Sequence, residues 1–487
     1  MFIKTLNSVQ REAATFGDGP LLILAGAGSG KTRVLTARAG WLVTRKDVPP
    51  GNILAVTFTN KAAGEMRGRL ERLIGPGSGD LWLGTFHSLG LRILRRESRL
   101  VGGAGQLTVY GDDDQLALVK EVMRDLSISD KSFAPRSILW RINQAKNENI
   151  GPGEFAAGAG DFLAERVARV YAEYDRRLRD MNCRDFGDLI CEPISLFKNN
   201  PHLLEDYRRR FRYILVDEYQ DTNRAQYLLT NMLASGSRNI FAVGDPDQSI
   251  YAWRGADISN ILDFERDYPD ATVLRLEQNY RSTKTILDAA NAVICRNARR
   301  LEKNLWTENA EGATIIYEEA RDEYDEARRV IRHMRRLTGG SAGGPVGLGD
   351  IAVFYRTNAQ SRVFEEELIR EGMPYTVVGG VRFYDRMEIR DAIAYLRLAS
   401  NPDDAMSFQR VVNRPARKIG AVTVGRIKGL AAELGVSIFD ALREADARGM
   451  LARTRARAFI DAFDSFKKDL GAGEGGGAGG AASGTSP

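Results

Sequence analysis

The octet Ala25-Gly26-Ala27-Gly28-Ser29-Gly30-Lys31-Thr32 constrains this chain more than any other stretch. It follows the short apolar run Leu21-Leu22-Ile23-Leu24-Ala25 and opens a helix-like segment. A buried strand that ends in a glycine-rich turn and passes into a helix makes a phosphate-binding loop. The glycines let successive backbone N–H groups turn toward an anion, and the helix presents the positive end of its dipole. In such a P-loop Lys31 reaches the β- and γ-phosphates and the Thr32 hydroxyl ligates Mg²⁺. Ala25 holds the first position, where glycine is commoner.

Around the loop the chain alternates strand and helix patterns. The runs at 53–58 and 81–86 are each bounded by turn residues and followed by a helix-like segment. Continuous short apolar runs of this kind predict a parallel sheet buried on both faces, an α/β fold. Long helical periodicity takes over at 90–205, for example at 115–124 and 162–181. Strands then resume at 213–216, 240–243 and 272–274. A helical block between strands of one sheet reads as an inserted subdomain. A second strand–helix alternation follows, with strands expected at 313–317, 351–355 and 375–378, and with 339–349 as a flexible loop. Residues 386–470 read as helical and Arg-rich. Residues 471–487 are almost all Gly, Ala and Ser, which bury no apolar surface, so this tail is expected to be disordered.

Composition narrows the class of protein. Apolar residues make up 43% of the 487 and charged residues 27%, the balance of a globular chain. No apolar run reaches the ~20 residues that span a bilayer, and the first residues lack the apolar stretch of a signal peptide. Three cysteines, Cys183, Cys191 and Cys295, make neither a disulfide framework nor a CxxC metal pattern. A cytoplasmic protein with no membrane partner is expected. The net charge of +5 suits an anionic partner such as nucleic acid and equally suits ordinary solubility.

Asp217-Glu218 closes the apolar run Tyr213-Ile214-Leu215-Val216. Beside a P-loop, such a pair places Asp217 in the Mg²⁺ shell and leaves Glu218 to polarise the attacking water as general base. The other acidic run, Asp112-Asp113-Asp114, stands before a helical stretch and reads as an N-cap and dipole complement. Two aromatic clusters sit at strand ends, Thr57-Phe58-Thr59-Asn60-Lys61 and Tyr251-Ala252-Trp253-Arg254. Rings beside basic and amide groups make stacking platforms for the bases of a single strand. By residue chemistry alone, Phe58 and Trp253 read more simply as core.

From Leu6 to about Gly420 the chain resembles the superfamily 1 DNA helicases of the UvrD/PcrA/Rep group. Leu6-Asn7 with Gln10-Arg11-Glu12 resembles their adenine-reading motif. Thr57-Phe58-Thr59-Asn60-Lys61-Ala62-Ala63 and Gly84-Thr85-Phe86-His87-Ser88 resemble their strand-contacting motifs. Val216-Asp217-Glu218-Tyr219-Gln220-Asp221 and the stretch from Gly244 to Ala256 resemble the DExx and third motifs. Asn279-Tyr280-Arg281-Ser282, with Tyr355-Arg356-Thr357-Asn358-Ala359-Gln360-Ser361-Arg362, resembles the fourth-motif region. The resemblance implies a P-loop RecA-like motor domain over 1–284 with a helical insertion at about 90–205. It also implies the N-terminal part of a second RecA-like domain over 285–385 and part of a helical inserted subdomain over 386–470.

The resemblance further implies ATP as the nucleotide, Mg²⁺ as its ion, and an enzyme that moves 3′ to 5′ along single-stranded DNA to separate strands in repair or replication. Gln10 would read adenine, and Ala25, Gly26, Ala27, Gly28, Ser29, Gly30, Lys31, Thr32 and Arg33 would hold the phosphates. Thr32 and Asp217 would serve the metal. Glu218 would be the base, Gln248 would sense the γ-phosphate, Arg281 would stabilise transition-state charge, and Tyr280 would pack on the base or sugar. Phe58, Asn60, His87, Tyr251, Trp253 and Arg254 would contact the tracking strand, and duplex junctions and repair or replication proteins would be partners.

Members of this group carry two further motifs, a Gly-Leu-Glu-containing DNA contact and a second arginine for the γ-phosphate. Lys428-Gly429-Leu430-Ala431-Ala432-Glu433 reads instead as helix surface, and Arg453-Thr454-Arg455-Ala456-Arg457 as a solvated basic face. The chain is therefore expected to correspond to the front two-thirds of such an enzyme. The alternative function is an ATP- and DNA-binding protein with weak ATPase and no unwinding.

Overall fold

The structure is a computed structural model that describes residues 2–101, 107–297, 301–339, 346–378 and 387–472. Among these lie eight strands: β1 Leu21–Ala25, β2 Ile53–Thr57, β3 Trp82–Thr85, β4 Thr108–Val109, β5 Cys183–Arg184, β6 Tyr213–Val216, β7 Ile240–Gly244 and β8 Thr272–Leu276. Six form one sheet in the order β3-β2-β6-β7-β1-β8, and every pairing is parallel. In register, Leu22 lies between Ala242 and Val273.

Every residue of β1, β2, β6 and β7 is buried, which is why these strands read as unbroken apolar runs. Their side chains still alternate between faces. Leu22, Leu24, Leu54, Val56, Ile214 and Val216 enter the core shared with Phe86, Ile93, Ile194 and Phe197. Leu21, Ile23, Ile53, Ala55, Leu215 and Val243 enter the opposite core with Val34, Leu35, Met66 and Leu70. The helices Phe86–Arg96 and Asp188–Asn199 thus cover one face, and Lys31–Arg45 and Asn60–Ile74 cover the other. Because all six strands run the same way, their carboxyl ends share one edge, where open α/β sheets place their ligands.

The helical block between β3 and β6 has a core of its own. The helices Asp112–Asp125, Pro135–Asn147 and Phe162–Asp180 close around Tyr110, Leu118, Val122, Ile142, Val170 and Tyr174. Asp112, Asp113 and Asp114 fill the first turn of their helix and complement its dipole; Gly111 takes the N-cap position, and the Asp114 carboxylate at N3 caps it by accepting from the Gly111 N–H (3.3 Å).

Residues from Tyr395 onward group with this first unit. Their helices include Ala405–Val411, Ala421–Leu434, Ile438–Ala447 and Ala456–Ala472. They are joined to the block by polar contacts: the Tyr110 hydroxyl donates to fully buried Asp404 (2.7 Å), and Arg397 pairs with Asp114 (2.8 Å). Lys428 pairs with Glu121 (2.8 Å) from the helix Ala421–Leu434, as the helix-surface reading of that segment expects. Arg453, Arg455 and Arg457 are exposed.

The second unit, Ala313–Ala394, packs the helices Glu323–Leu337 and Ser361–Arg370 around Ile331, Met334 and Leu368. The strands expected at 313–317, 351–355 and 375–378 are not formed. A strand needs a neighbour for its N–H and C=O groups, and these segments have no ladder partner among the described residues. Their side chains show the consequence, with Tyr317, Phe354 and Val378 each about nine-tenths exposed. The tail expected to be disordered lies outside the described residues, apart from Gly471 and Ala472, which end the helix Ala456–Ala472.

Candidate nucleotide site and nucleic-acid interface

The P-loop leaves β1 at the carboxyl edge. Gly28 and Gly30 hold φ of +68° and +91°, conformations that glycine adopts without strain. Gly26 N–H donates to Leu276 O (3.2 Å), and the buried Ser29 hydroxyl donates to Gly26 O (2.7 Å). Lys31 heads the following helix with its ammonium 3.2 Å from Glu218 Oε2 and 3.2 Å from Gln248 Oε1. One lysine thus meets the ends of β6 and of β7. Thr32 lies half-buried beside it, and its side chain is on the same first turn.

Asp217 is buried at the end of β6, and burial next to the Glu218 charge pushes its carboxyl up to about 7. Asp221 is raised to about 6 by burial and by Glu218, against Lys31. Glu218 sits at φ 51°, ψ 47°, a left-handed conformation that costs a non-glycine residue about 1–3 kcal/mol. Among the described residues, no three His, Cys, Asp or Glu side chains gather as a metal cage. Mg²⁺ in nucleotide sites typically takes only one or two carboxylates together with substrate phosphates, so Asp217 with Thr32 fits that donor set.

The adenine-side residues also converge. Gln10 Nε2 donates to Ser29 O (2.9 Å), and its Oε1 accepts from Asn7 N (3.2 Å). Asn7 Nδ2 donates to the Tyr280 hydroxyl (2.8 Å). Tyr280 N–H donates to Gly28 O (3.0 Å), so the Tyr280-Arg281 turn rests on the P-loop, with Arg281 exposed beside it. Arg33 is turned away from the loop, donating to Thr5 O (2.8 Å).

Sequence reading missed two residues that organise this cluster. Buried Gln220 donates to Glu218 Oε2 (2.9 Å) and accepts from Asp245 N–H (2.9 Å), which ties β6 to β7. Buried Asn279 donates to Ala27 O (2.5 Å) and accepts from Arg281 N and Ser282 N (both 2.8 Å). Both lie inside motifs already noticed, so proximity to them was the available signal.

The aromatic residues at the ends of β2 and β7 meet in space. The Phe58 and Tyr251 rings stack at 4.9 Å and 28°, Trp253 lies 6.3 Å from Tyr251, and the Arg254 guanidinium lies 4.7 Å over Trp253. Trp253 is 65% exposed, which rules out the core reading. Phe58 is half-buried. Asn60 is exposed on the first turn after β2. His87, half-buried after β3, has its imidazole pKa lowered by burial against the pull of Asp185. Its ring meets exposed Phe186 edge-on at 5.6 Å. Phe186 is a further exposed ring that no motif pointed to.

Residues 6–269 match the UvrD/REP helicase N-terminal domain, and residues 274–450 match the UvrD-like helicase C-terminal domain. The chain belongs to the UvrD/REP helicase family. It is 51% identical over 463 residues to the ATP-dependent DNA helicase PcrA of Bacillus subtilis, covering 95% of this chain and 62% of that protein. It is 49% identical over 446 residues to PcrA of Staphylococcus aureus, covering 91% and 60%. For PcrA of Staphylococcus epidermidis the figures are 49% over 449 residues, 92% and 61%. This UvrD/REP chain therefore spans about three fifths of the length of the curated relatives it matches.

Proposed function

We propose that this UvrD/REP chain is a DNA-dependent ATP hydrolase that moves 3′ to 5′ along single-stranded DNA and acts at duplex junctions, in the cytoplasm, in repair or replication. One observation carries the reading. The turn after β7 holds Gln248, bonded to Lys31, and three residues later Tyr251, stacked on Phe58. A change at the phosphate end of that turn shifts the aromatic platform in the same rigid piece of backbone. The likeness to proteins named ATP-dependent DNA helicases supports ATP and DNA, and the direction of travel is what the motif resemblance implies. Among the described residues, no helix is long and apolar enough to cross a membrane.

In this reading the P-loop amides and Lys31 hold the phosphates, and Gln10 and Tyr280 lie at the base. Glu218 accepts a proton from the attacking water, Gln248 reports the γ-phosphate to the Tyr251 turn, and Arg281 stabilises charge on the opposite side. Mg²⁺, when bound with the nucleotide through Thr32 and Asp217, supplies neutralising charge to the phosphates. Phe58, Tyr251 and Trp253 stack on bases, with Arg254 over the Tyr251 and Trp253 rings, while Asn60 and His87 contact the same strand.

A second reading, nucleotide and DNA binding with slow hydrolysis and no strand separation, is favoured by the unpaired segments of the second unit. Release of streptavidin from biotinylated oligonucleotides separates the two. ATP-dependent release from the 5′ end but not the 3′ end supports 3′ to 5′ movement. No release from either end, with DNA still bound, supports the second reading.

A further inference from the structure

Lys303 lies outside every motif considered above, yet its side chain is almost fully buried, 3% exposed. Its ammonium bonds Asp245 and lies 2.6 Å from Asp247 Oδ2. Both carboxylates are themselves at least nine-tenths buried. A lysine taken out of water needs such partners, and the partners here are the residues that present Gln248. The Asp245 carboxylate accepts from Gln248 Nε2, and Gln248 Oε1 faces Lys31 at 3.2 Å. The Asp245 N–H donates to Gln220, which in turn donates to Glu218. Lys303 is thus one carboxylate away from the γ-phosphate sensor and joined through one amide to the base.

The chain on which Lys303 rides is fastened to the other side of the nucleotide site. Asn304 N–H donates to Glu277 Oε1 (2.8 Å), Asn279 N–H donates to Trp306 O (2.8 Å), and the Thr307 hydroxyl donates to Asn279 O (2.8 Å). Leu305 packs against Gly26 so closely that a Cβ there would come within 2.1 Å of it. The stretch from Lys303 to Thr307 therefore binds the turn that carries Tyr280 and Arg281.

We propose that Lys303 is a positioning residue for nucleotide turnover, locking the Asp245–Gln248 arm in register with the Tyr280–Arg281 turn so that groups on the two sides of the phosphates are aligned together. This rests on the proposed ATP hydrolysis. A buried ion pair is weak evidence for stability, but removing one partner leaves uncompensated charge. Lys303→Met alone therefore lowers Tm for reasons unrelated to catalysis. The decisive variant is Lys303→Met with Asp247→Asn, which removes one charge of each sign and leaves Asp245 with its Gln248 donor but no cation, so activity is read against the folded fraction. Lys303→Arg keeps the cation.

Steady-state ATP hydrolysis with saturating oligo-dT, equilibrium binding of a fluorescent ATP analogue, and Tm are measured on the full 487-residue chain. Misplacement of reacting groups lowers kcat by roughly 10- to 100-fold, so that loss is expected in the double variant, with KM for ATP and analogue affinity within about twofold of the parent. Lys303→Arg recovers most of kcat. Parental kcat in the folded double variant overturns the proposal, as does activity that tracks the folded fraction alone, or a raised KM with kcat intact. Absence of turnover in the parent chain overturns the hydrolysis reading itself and this inference with it.

Discussion

Replacing Trp253 by Ala separates base stacking from a packing role. At 65% exposed, the indole leaves no cavity behind, so unfolding free energy is expected to change by no more than about 0.5 kcal/mol. Single-stranded DNA affinity behaves differently, since loss of a base–aromatic stack is worth about 1–3 kcal/mol, or roughly 5- to 150-fold in Kd. Tyr251→Ala is expected to lose at least as much, because it also removes the ring that links Phe58 to Trp253. Fluorescence anisotropy with labelled dT, dC and mixed-sequence oligonucleotides across a salt series reads both quantities. Trp253→Ala weakens all oligonucleotides alike and leaves the log–log salt slope unchanged, since no phosphate contact is lost. Arg254→Ala lowers the slope by about 0.7 if it neutralises one phosphate. Unchanged affinity in Trp253→Ala, or a loss explained by a lowered Tm, refutes the stacking platform.

Lys31→Ala abolishes hydrolysis and weakens nucleotide binding while Tm holds, because this ammonium joins the ends of β6 and β7 at the P-loop; normal turnover in the folded variant contradicts the assignment. Glu218→Gln keeps ATP binding and loses turnover, checked by analogue binding against phosphate release. Lys146→Met, which strands Asp185 and Asp188 at a side chain only 2% exposed, is expected to cost about 3–5 kcal/mol in urea unfolding, and a loss below about 1 kcal/mol counts against that. Glu173 is lowered to about 2 by Arg176 and Arg177, so its contribution to stability is present above its ordinary range near 4.5 and is lost as pH falls through the folded value. Glu173→Gln therefore lowers Tm at pH 7 and narrows its gap to the parent at pH 3.

The six-stranded sheet was legible because β1, β2, β6 and β7 are buried on both faces, and burial on both faces writes an unbroken apolar run. The phosphate loop was legible because left-handed backbone at Gly28 and Gly30 calls for glycine. What sequence could not supply was tertiary partnership. Ile351-Ala352-Val353-Phe354-Tyr355 has the composition of a strand, but a strand is defined by its neighbour, and no residue pattern names one. Trp253 illustrates the same limit from the other side, since an aromatic beside a strand end is core or platform according to what packs over it. Lys303 went unread because it stands in no run whose spacing implies chemistry, and Asn279, although inside a noticed motif, because its bond to Ala27 O spans a long sequence separation.

Phosphate release by the purified chain, titrated with single-stranded DNA at saturating ATP and Mg²⁺, shows whether the Lys31–Glu218–Gln248 cluster and the Phe58–Tyr251–Trp253 platform act as one device. Turnover is expected to rise with DNA, with half-stimulation shifted to higher DNA concentration in Tyr251→Ala. Turnover indifferent to DNA, or stimulation unaltered in Tyr251→Ala, would contradict it.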